Sequence, residues 1–149
     1  MAREKPLPPV FLLIALLLMP VLHFLIPVRQ IVRFPANLGG LIPTAIGVLL
    51  NFAADGLLKR KQTTVKPFQE SSALVTTGVY GSTRHPMYLG FVLILLGAAV
   101  LFGSLGPFAV VAVFPLVMEA AFIRTEERML AARFGDQWLA YKARVRRWI

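Results

Sequence analysis

The feature that most constrains this chain is its division into four apolar blocks, residues 10–26, 38–58, 87–102 and 108–123, with nearly all of the charge outside them. In residues 10–26 only His23 can ionise. Hydrocarbon offers no partners for backbone N–H and C=O groups, so a block that enters it must bond internally, as a helix or within a closed barrel. These blocks are continuously apolar rather than alternating, which selects helices. At 57% hydrophobic and 15% charged residues over 149 positions, the expected fold class is an all-α integral membrane protein. It would be a single membrane domain, residues 1–149, with four transmembrane helices and a C-terminal amphipathic interfacial helix.

The basic residues mark the ends of the blocks. The formal charge of +9 would suit nucleic acid, but positive-inside bias and anionic lipid head groups explain its placement better. With four spans, the N-terminus, the 59–86 loop and the 124–149 segment share one side and hold all but two of the 16 Lys and Arg; Arg29 and Arg33 lie opposite. Both termini are therefore expected to be cytoplasmic. The leader carrying Arg3 and Lys5 followed by an apolar core also resembles a signal peptide. The chain continues Pro27-Val28-Arg29-Gln30 without a small-x-small cleavage site, so the block is expected to be retained, kinked near Pro20. His23 reads as a packed or interfacial histidine more readily than as a ligand. Asn51 and Asp55 share a face of the second block, and an interhelical hydrogen bond plus a pair with Lys59 is favoured over substrate contact.

Residues 59–84 are polar, long and without periodicity, and are expected to fold over the membrane face as a lid, burying Val65, Pro67, Phe68, Leu74 and Val75. They feed residues 78–90, Gly-Val-Tyr-Gly-Ser-Thr-Arg-His-Pro-Met-Tyr-Leu-Gly, the stretch richest in chemistry. Pro86 fits the first position of the third helix, where its missing N–H costs nothing. His85 before it is pushed to an extended conformation, and Arg84 supplies a planar fork for an anionic group. Gly103-Ser104-Leu105-Gly106-Pro107 reads as the turn to the fourth helix, in which Pro115 is expected to introduce a kink. Beyond that helix stand Glu126 and Glu127, able to hold hydroxyls, balance a cationic ligand or pair with Arg84; pairing with local arginines is at least as good a reading. Glu119 lies about 10 Å deeper at ~1.5 Å per residue, on the face of Glu126, and is either functional or packed. Gly135 reads as a helix terminator and Asp136 as the next N-cap. Trp138, Tyr141, Val145 and Trp148 then recur at helical spacing among Lys142, Arg144, Arg146 and Arg147, as in a helix lying on an anionic membrane. Two histidines and no cysteine make zinc improbable, and no Walker loop or dinucleotide fingerprint is present.

Residues 74–149 resemble the isoprenylcysteine carboxyl methyltransferase and phospholipid methyltransferase superfamily of integral membrane enzymes. The matching residues are Leu74-Val75-Thr76-Thr77-Gly78-Val79-Tyr80, Arg84-His85-Pro86-Met87-Tyr88-Leu89-Gly90, Glu126-Glu127, Phe134-Gly135 and Trp138-Leu139-Ala140-Tyr141-Lys142-Ala143-Arg144-Val145. Val79 and Gly81 depart from the Pro and basic residue usual there. The resemblance implies methyl transfer dependent on S-adenosylmethionine to a lipophilic or membrane-associated acceptor, carboxylate or amine. Tyr80, His85, Pro86, Tyr88, Gly90, Glu126 and Glu127 would be cofactor-binding, Arg84 and Glu127 catalytic, with no metal. The implied partners are a lipophilic small molecule or a prenylated or lipid acceptor, together with anionic membrane lipids. The rival readings are a nicotinamide-dependent membrane sterol-type reductase, which usually has more helices, and a small four-helix transporter or scaffold subunit relying on Asp55 and Glu119.

Overall fold

The computed structural model describes residues 7–25, 29–63 and 71–149. Arg3, Lys5, Ile26, Pro27, Val28, Val65, Pro67 and Phe68, on which several expectations above rest, lie outside them. Among the described residues the chain is helical, with an isolated bridge between Gln30 and Ser104 in place of any sheet. Helix α1 spans Pro8–Leu25, α2 Leu41–Arg60, α3 Pro86–Phe102, α4 Leu105–Met118 and α5 Arg124–Arg144. Three helical stretches are long and apolar enough to cross a membrane, Pro8–Leu25, Ala36–Arg60 and Leu105–Arg144; the apolar α3, at 17 residues, is slightly shorter. The all-α integral membrane class is the one observed.

Helix α3 is the centre of the bundle, packed against α1, α2 and α4. Its contact with α2 is close because glycines face glycines: a Cβ on Gly90 would press on the Gly47 carbonyl at 2.8 Å, and one on Gly97 would strike the Gly40 carbonyl. Small residues at such crossings let two backbones approach. On its other side α3 contributes Tyr88, Phe91, Leu95 and Ala99 to a core shared with Ala15 and Met19 of α1 and with Val110, Phe114 and Met118 of α4.

The turn after α3 is shorter than expected. Gly103 closes the helix at φ 70°, a left-handed position that glycine adopts without strain, and α4 begins at Leu105 with Pro107 inside its first turn. Ser104 accepts or donates with His23 Nδ1 at 2.6 Å, so His23 is a packed histidine at the end of α1. Asn51 bonds the Gly47 carbonyl of its own helix at 2.9 Å rather than a neighbouring helix, while Asp55 pairs with Lys59 at 2.6 Å as expected.

Two irregularities position the site. The first follows Pro115: the chain passes from α4 to α5 through a π-helical turn, Glu119–Ile123, four residues after the proline. A π turn closes i to i+5 bonds and inserts one extra residue. The face of Glu119 is therefore continued by Glu127, not by Glu126 as a regular helix would have it. The second is Gly135, at φ 48° and ψ −119° inside α5, which breaks that helix in two as the sequence indicated. The break turns the last segment back over the bundle. Trp138, Tyr141 and Val145 are buried there against Leu74, Leu130 and Phe134, and Trp148 packs on the main core. The apolar stripe that the sequence reading laid on the bilayer is instead turned into the protein, because Leu74 and its neighbours supply an apolar surface nearer than the lipid.

Candidate functional site

The site lies where the start of α3, the start of α5 and the returning C-terminal segment converge. His85, at φ −127°, precedes Pro86 at the first position of α3, and Pro86 is fully buried. Three bonds tie this junction down: Thr83 Oγ1 donates to the Arg147 carbonyl at 3.0 Å, the Arg84 N–H donates to the Arg146 carbonyl at 3.0 Å, and the His85 N–H donates to Thr83 Oγ1 at 3.3 Å. Tyr141 adds a fourth, its hydroxyl donating to the Tyr80 carbonyl at 2.7 Å. Tyr80 lies within the short helical turn Gly78–Gly81, entered through Gly78 at φ 61°.

The side chains form two unequal halves around Glu126 and Glu127. Glu127 is saturated. Arg84 Nη2 lies 3.1 Å from its Oε1, His85 Nε2 3.3 Å from the same oxygen, and Arg147 reaches both oxygens, Nη2 at 2.7 Å and Nε at 3.2 Å. Burial opposes ionisation of this carboxyl, but the bonds from His85 and Arg147 and the Arg84 charge outweigh it and lower its pKa to about 2. Arg147 also donates to Glu119 at 3.0 Å, bridging the two carboxylates that the π turn aligns. Arg84 is further held by the Lys142 carbonyl at 3.4 Å and by the Trp138 ring, 5.6 Å from its guanidinium carbon. Its Nε is buried without a hydrogen-bond partner.

Glu126 is different. Tyr88 donates to its Oε1 at 2.5 Å, and His85 Nδ1 stands 3.7 Å from its Oε2. Among the described residues no guanidinium or ammonium pairs with it. Burial raises its pKa, and the Tyr88 bond and His85 only partly offset that rise, while the neighbouring Glu127 adds to it. Tyr88 is itself fixed by Phe122, whose ring stacks at 6.2 Å, and by Phe91 at 6.3 Å. His85 thus sits between an acid held firmly as a carboxylate and one whose charge is uncompensated.

Arg84, His85, Tyr88, Glu126 and Glu127 are brought together as the sequence suggested, and Pro86 fixes the turn that presents them. Tyr80 contributes its backbone carbonyl, and its half-buried phenol is pushed up by desolvation and by the charges of Tyr141, Glu126 and Asp55. Gly90 stands apart. It faces α2, where a Cβ would collide with Asn51 Nδ2 and the Gly47 carbonyl, so its observed work is helix approach. Of the two pairings the sequence left open, Glu127 makes the one with Arg84 and not one with local arginines; its second arginine, Arg147, lies 20 residues away. Sequence reasoning missed Arg147, Thr83 and Trp138. Thr83 stands within the stretch singled out, but Arg147 was one of several arginines in a basic run, and nothing in its spacing set it apart.

The Arg-His-Pro-x-Tyr helix start and the Glu-Glu pair, which carry the resemblance to the integral membrane methyltransferases, are thus joined in one site. Residues 36–137 match the phospholipid methyltransferase family, and the chain belongs to that family. It is similar to protein-S-isoprenylcysteine O-methyltransferases of Schizosaccharomyces pombe, 41% identical over 48% of this chain and 30% of the relative, and of Saccharomyces cerevisiae, 40% identical over 54% and 34%. It is also similar to a cobalt-zinc-cadmium resistance protein of Cupriavidus metallidurans, 41% identical over 46% of this chain and 32% of the relative. The chain spans about a third of the length of these curated relatives. No solved structure matches it.

Proposed function

We propose that the protein transfers a methyl group from S-adenosylmethionine to a lipophilic or membrane-associated acceptor at the cytoplasmic membrane face. The observation that carries this reading is the contrast between the two glutamates. Glu127 is fully paired, whereas the half-buried Glu126 lacks a cationic partner among the described residues and is offered to a ligand by Tyr88 and His85. S-adenosylmethionine carries a sulfonium, an ammonium and a carboxylate, and the residues suit it: Glu126 meets positive charge, and the orphaned Arg84 Nε meets negative charge. Bound there, it supplies a methyl group on positive sulfur, open to in-line displacement by an acceptor lone pair.

The chain's own residues then have distinct tasks. Tyr88 orients Glu126 through their short hydrogen bond. Trp138, Tyr141 and Leu74 roof the site and exclude water, which strengthens the electrostatics inside it. No protein nucleophile is needed, and catalysis comes from alignment in a dry site. Where the acceptor loses a proton, Glu126 is the better acid–base group, because burial raises its pKa whereas that of Glu127 is lowered. Glu127, expected from the resemblance to be catalytic, is locked by two arginines and fits a positioning role instead. A carboxylate acceptor would find Arg84; an amine would find Glu126.

The test is titration calorimetry on the detergent-purified protein. S-adenosylmethionine is expected to bind and a reduced nicotinamide cofactor is not. Glu126→Gln keeps the shape of the side chain but removes its charge, and should weaken binding by about tenfold or more, the equivalent of one charge-assisted contact. Absence of S-adenosylmethionine binding to folded protein would contradict the proposal.

A further inference from the structure

Helix α5 closes at Arg144, and Val145 after it is extended, at φ −118° and ψ 127°. Residues 145–149 then lie against the start of α3. The Arg146 carbonyl accepts the Arg84 N–H at 3.0 Å, the Arg147 carbonyl accepts the Thr83 hydroxyl at 3.0 Å, and Trp148 packs on the main core. Undocking this segment would remove, in one event, the Arg147 fork from Glu127 and the acceptors of both Thr83 and Arg84.

Thr83 stands between this segment and His85. Its hydroxyl works in both directions, donating to the Arg147 carbonyl and accepting the His85 N–H at 3.3 Å. A carbonyl only accepts and an N–H only donates, so the hydroxyl hydrogen has one place to point. Thr83 is 3% exposed, and water does not stand in for either partner. The main chain of His85 is thereby held on both sides: its carbonyl accepts the Leu89 N–H at 3.0 Å within α3, and its N–H is held by Thr83. The ring it carries is 3.3 Å from Glu127 and 3.7 Å from Glu126, with the Tyr88 ring 5.7 Å away. Bonds of this kind cluster at about 2.7–3.2 Å. A small rotation of the main chain at His85 therefore takes one of its nitrogens out of reach of its glutamate.

We propose that Thr83 is a positioning residue for His85, one that makes the seat of the His85 ring between Glu126 and Glu127 depend on the docking of residues 145–149. The site is then assembled only while that segment is in place. What the seated ring serves, cofactor binding, rests on the proposed function; the seating itself does not. The link runs through the main chain of Arg147 and not its side chain, so it is separate from the fork on Glu127.

With two histidines in the chain, nuclear magnetic resonance of the whole protein in detergent, isotope-labelled on histidine nitrogen, reads the His85 ring directly once His23→Gln has assigned it. Thr83→Val keeps the shape of the side chain and removes the hydroxyl. It should move the His85 ring resonances and weaken S-adenosylmethionine binding about tenfold, the loss of about one buried hydrogen bond. Thr83→Ser should return the resonances to their wild-type positions and the affinity to within about twofold of wild type. A hydroxyl that served folding alone would lower the melting temperature in Thr83→Val and leave the ring resonances unmoved. Wild type gives a second measurement that needs no variant: one opening frees both amides, so the protection of the Arg84 and His85 N–H groups against hydrogen exchange should agree within about tenfold. Wider separation of the two, His85 resonances unmoved in folded Thr83→Val, or cofactor binding undiminished in that variant would overturn the inference. Failure of S-adenosylmethionine to bind folded wild type would undo the proposed function alone, and the resonances and amide exchange would still decide the role of Thr83.

Discussion

Replacing Arg147 by alanine probes the part of the site that holds itself together. Arg147 makes three charged hydrogen bonds, two to Glu127 at 2.7 and 3.2 Å and one to Glu119 at 3.0 Å. Hydrogen bonds to charged groups contribute about 1.5–3 kcal/mol each. The full sum does not apply, for two reasons. Arg147 is 31% exposed, so water replaces part of what is lost. Glu127 also keeps Arg84 and His85, and Glu119 keeps Arg124 at 3.3 Å. A net loss of about 2 kcal/mol remains, because Glu127 is buried and cannot be fully rehydrated. For a chain of this size that corresponds to a fall in melting temperature of about 4–8 °C. Thermal unfolding in a neutral detergent at pH 7, followed by circular dichroism, reads it directly. Arg147→Lys restores the charge without the fork and should recover less than half of the loss. The backbone bonds from Thr83 and Arg84 to residues 146 and 147 survive both changes, so the C-terminal segment stays docked. An Arg147→Ala protein that melts with wild type, or a lysine variant indistinguishable from arginine, would refute the view that this fork fixes Glu127.

Three further outcomes follow from the same geometry. Glu127 has its pKa lowered to about 2 in the fold, against about 4.3 when unfolded, so its contribution is present above pH ~4.3 and is lost as pH falls toward 2; Arg147→Ala brings the folded pKa nearer the unfolded one, and between pH ~4.3 and 2 it should lose less stability than wild type does, a shallower acid limb in the same melt. Tyr88→Phe removes the donor on Glu126 and should raise the pKa of that carboxyl further, which infrared spectroscopy of the protonated carboxyl checks; an unmoved band would show that the bond is not formed. Gly90→Ala forces a Cβ against the Gly47 carbonyl and Asn51 and should destabilise the protein by about 1–3 kcal/mol, while Gly39→Ala, which meets nothing within 4 Å, should be neutral in the same melt.

The helices were legible because an apolar block in a membrane has few alternatives, and α1, α2 and α3 begin and end close to where charge and proline place them. The helix start at Pro86 was legible for a local reason: His-Pro restricts the backbone before the helix begins. Of the partners of Glu127, Arg84 was legible but Arg147 was not, because Arg147 reaches it only after Gly135 reverses the chain, and spacing carries no record of a turn in space. The π turn was hidden in the same way. Pro115 announced an irregularity, but not that it would appear at Glu119–Ile123 and shift the acidic register by one residue. Gly90 was drawn into the site by its place in a motif, but its spacing of seven from Gly97 also marks a small-residue face for helix approach, and that is the role seen in its contact with Gly47. The C-terminal stripe of Trp138, Tyr141 and Val145 has the periodicity of a membrane-surface helix; the positions of Leu74, Leu130 and Phe134 in space decide that it folds inward.

The central claim, methyl transfer at this cluster, is tested most directly by reconstituting the purified protein in vesicles with S-adenosylmethionine labelled on its methyl group and counting label in the organic extract. Transfer that depends on the protein and falls by at least about tenfold in Glu126→Gln is the expected result. Label that stays wholly in the aqueous phase, with vesicles containing both amine and prenylcysteine acceptors and with the protein folded, would contradict it.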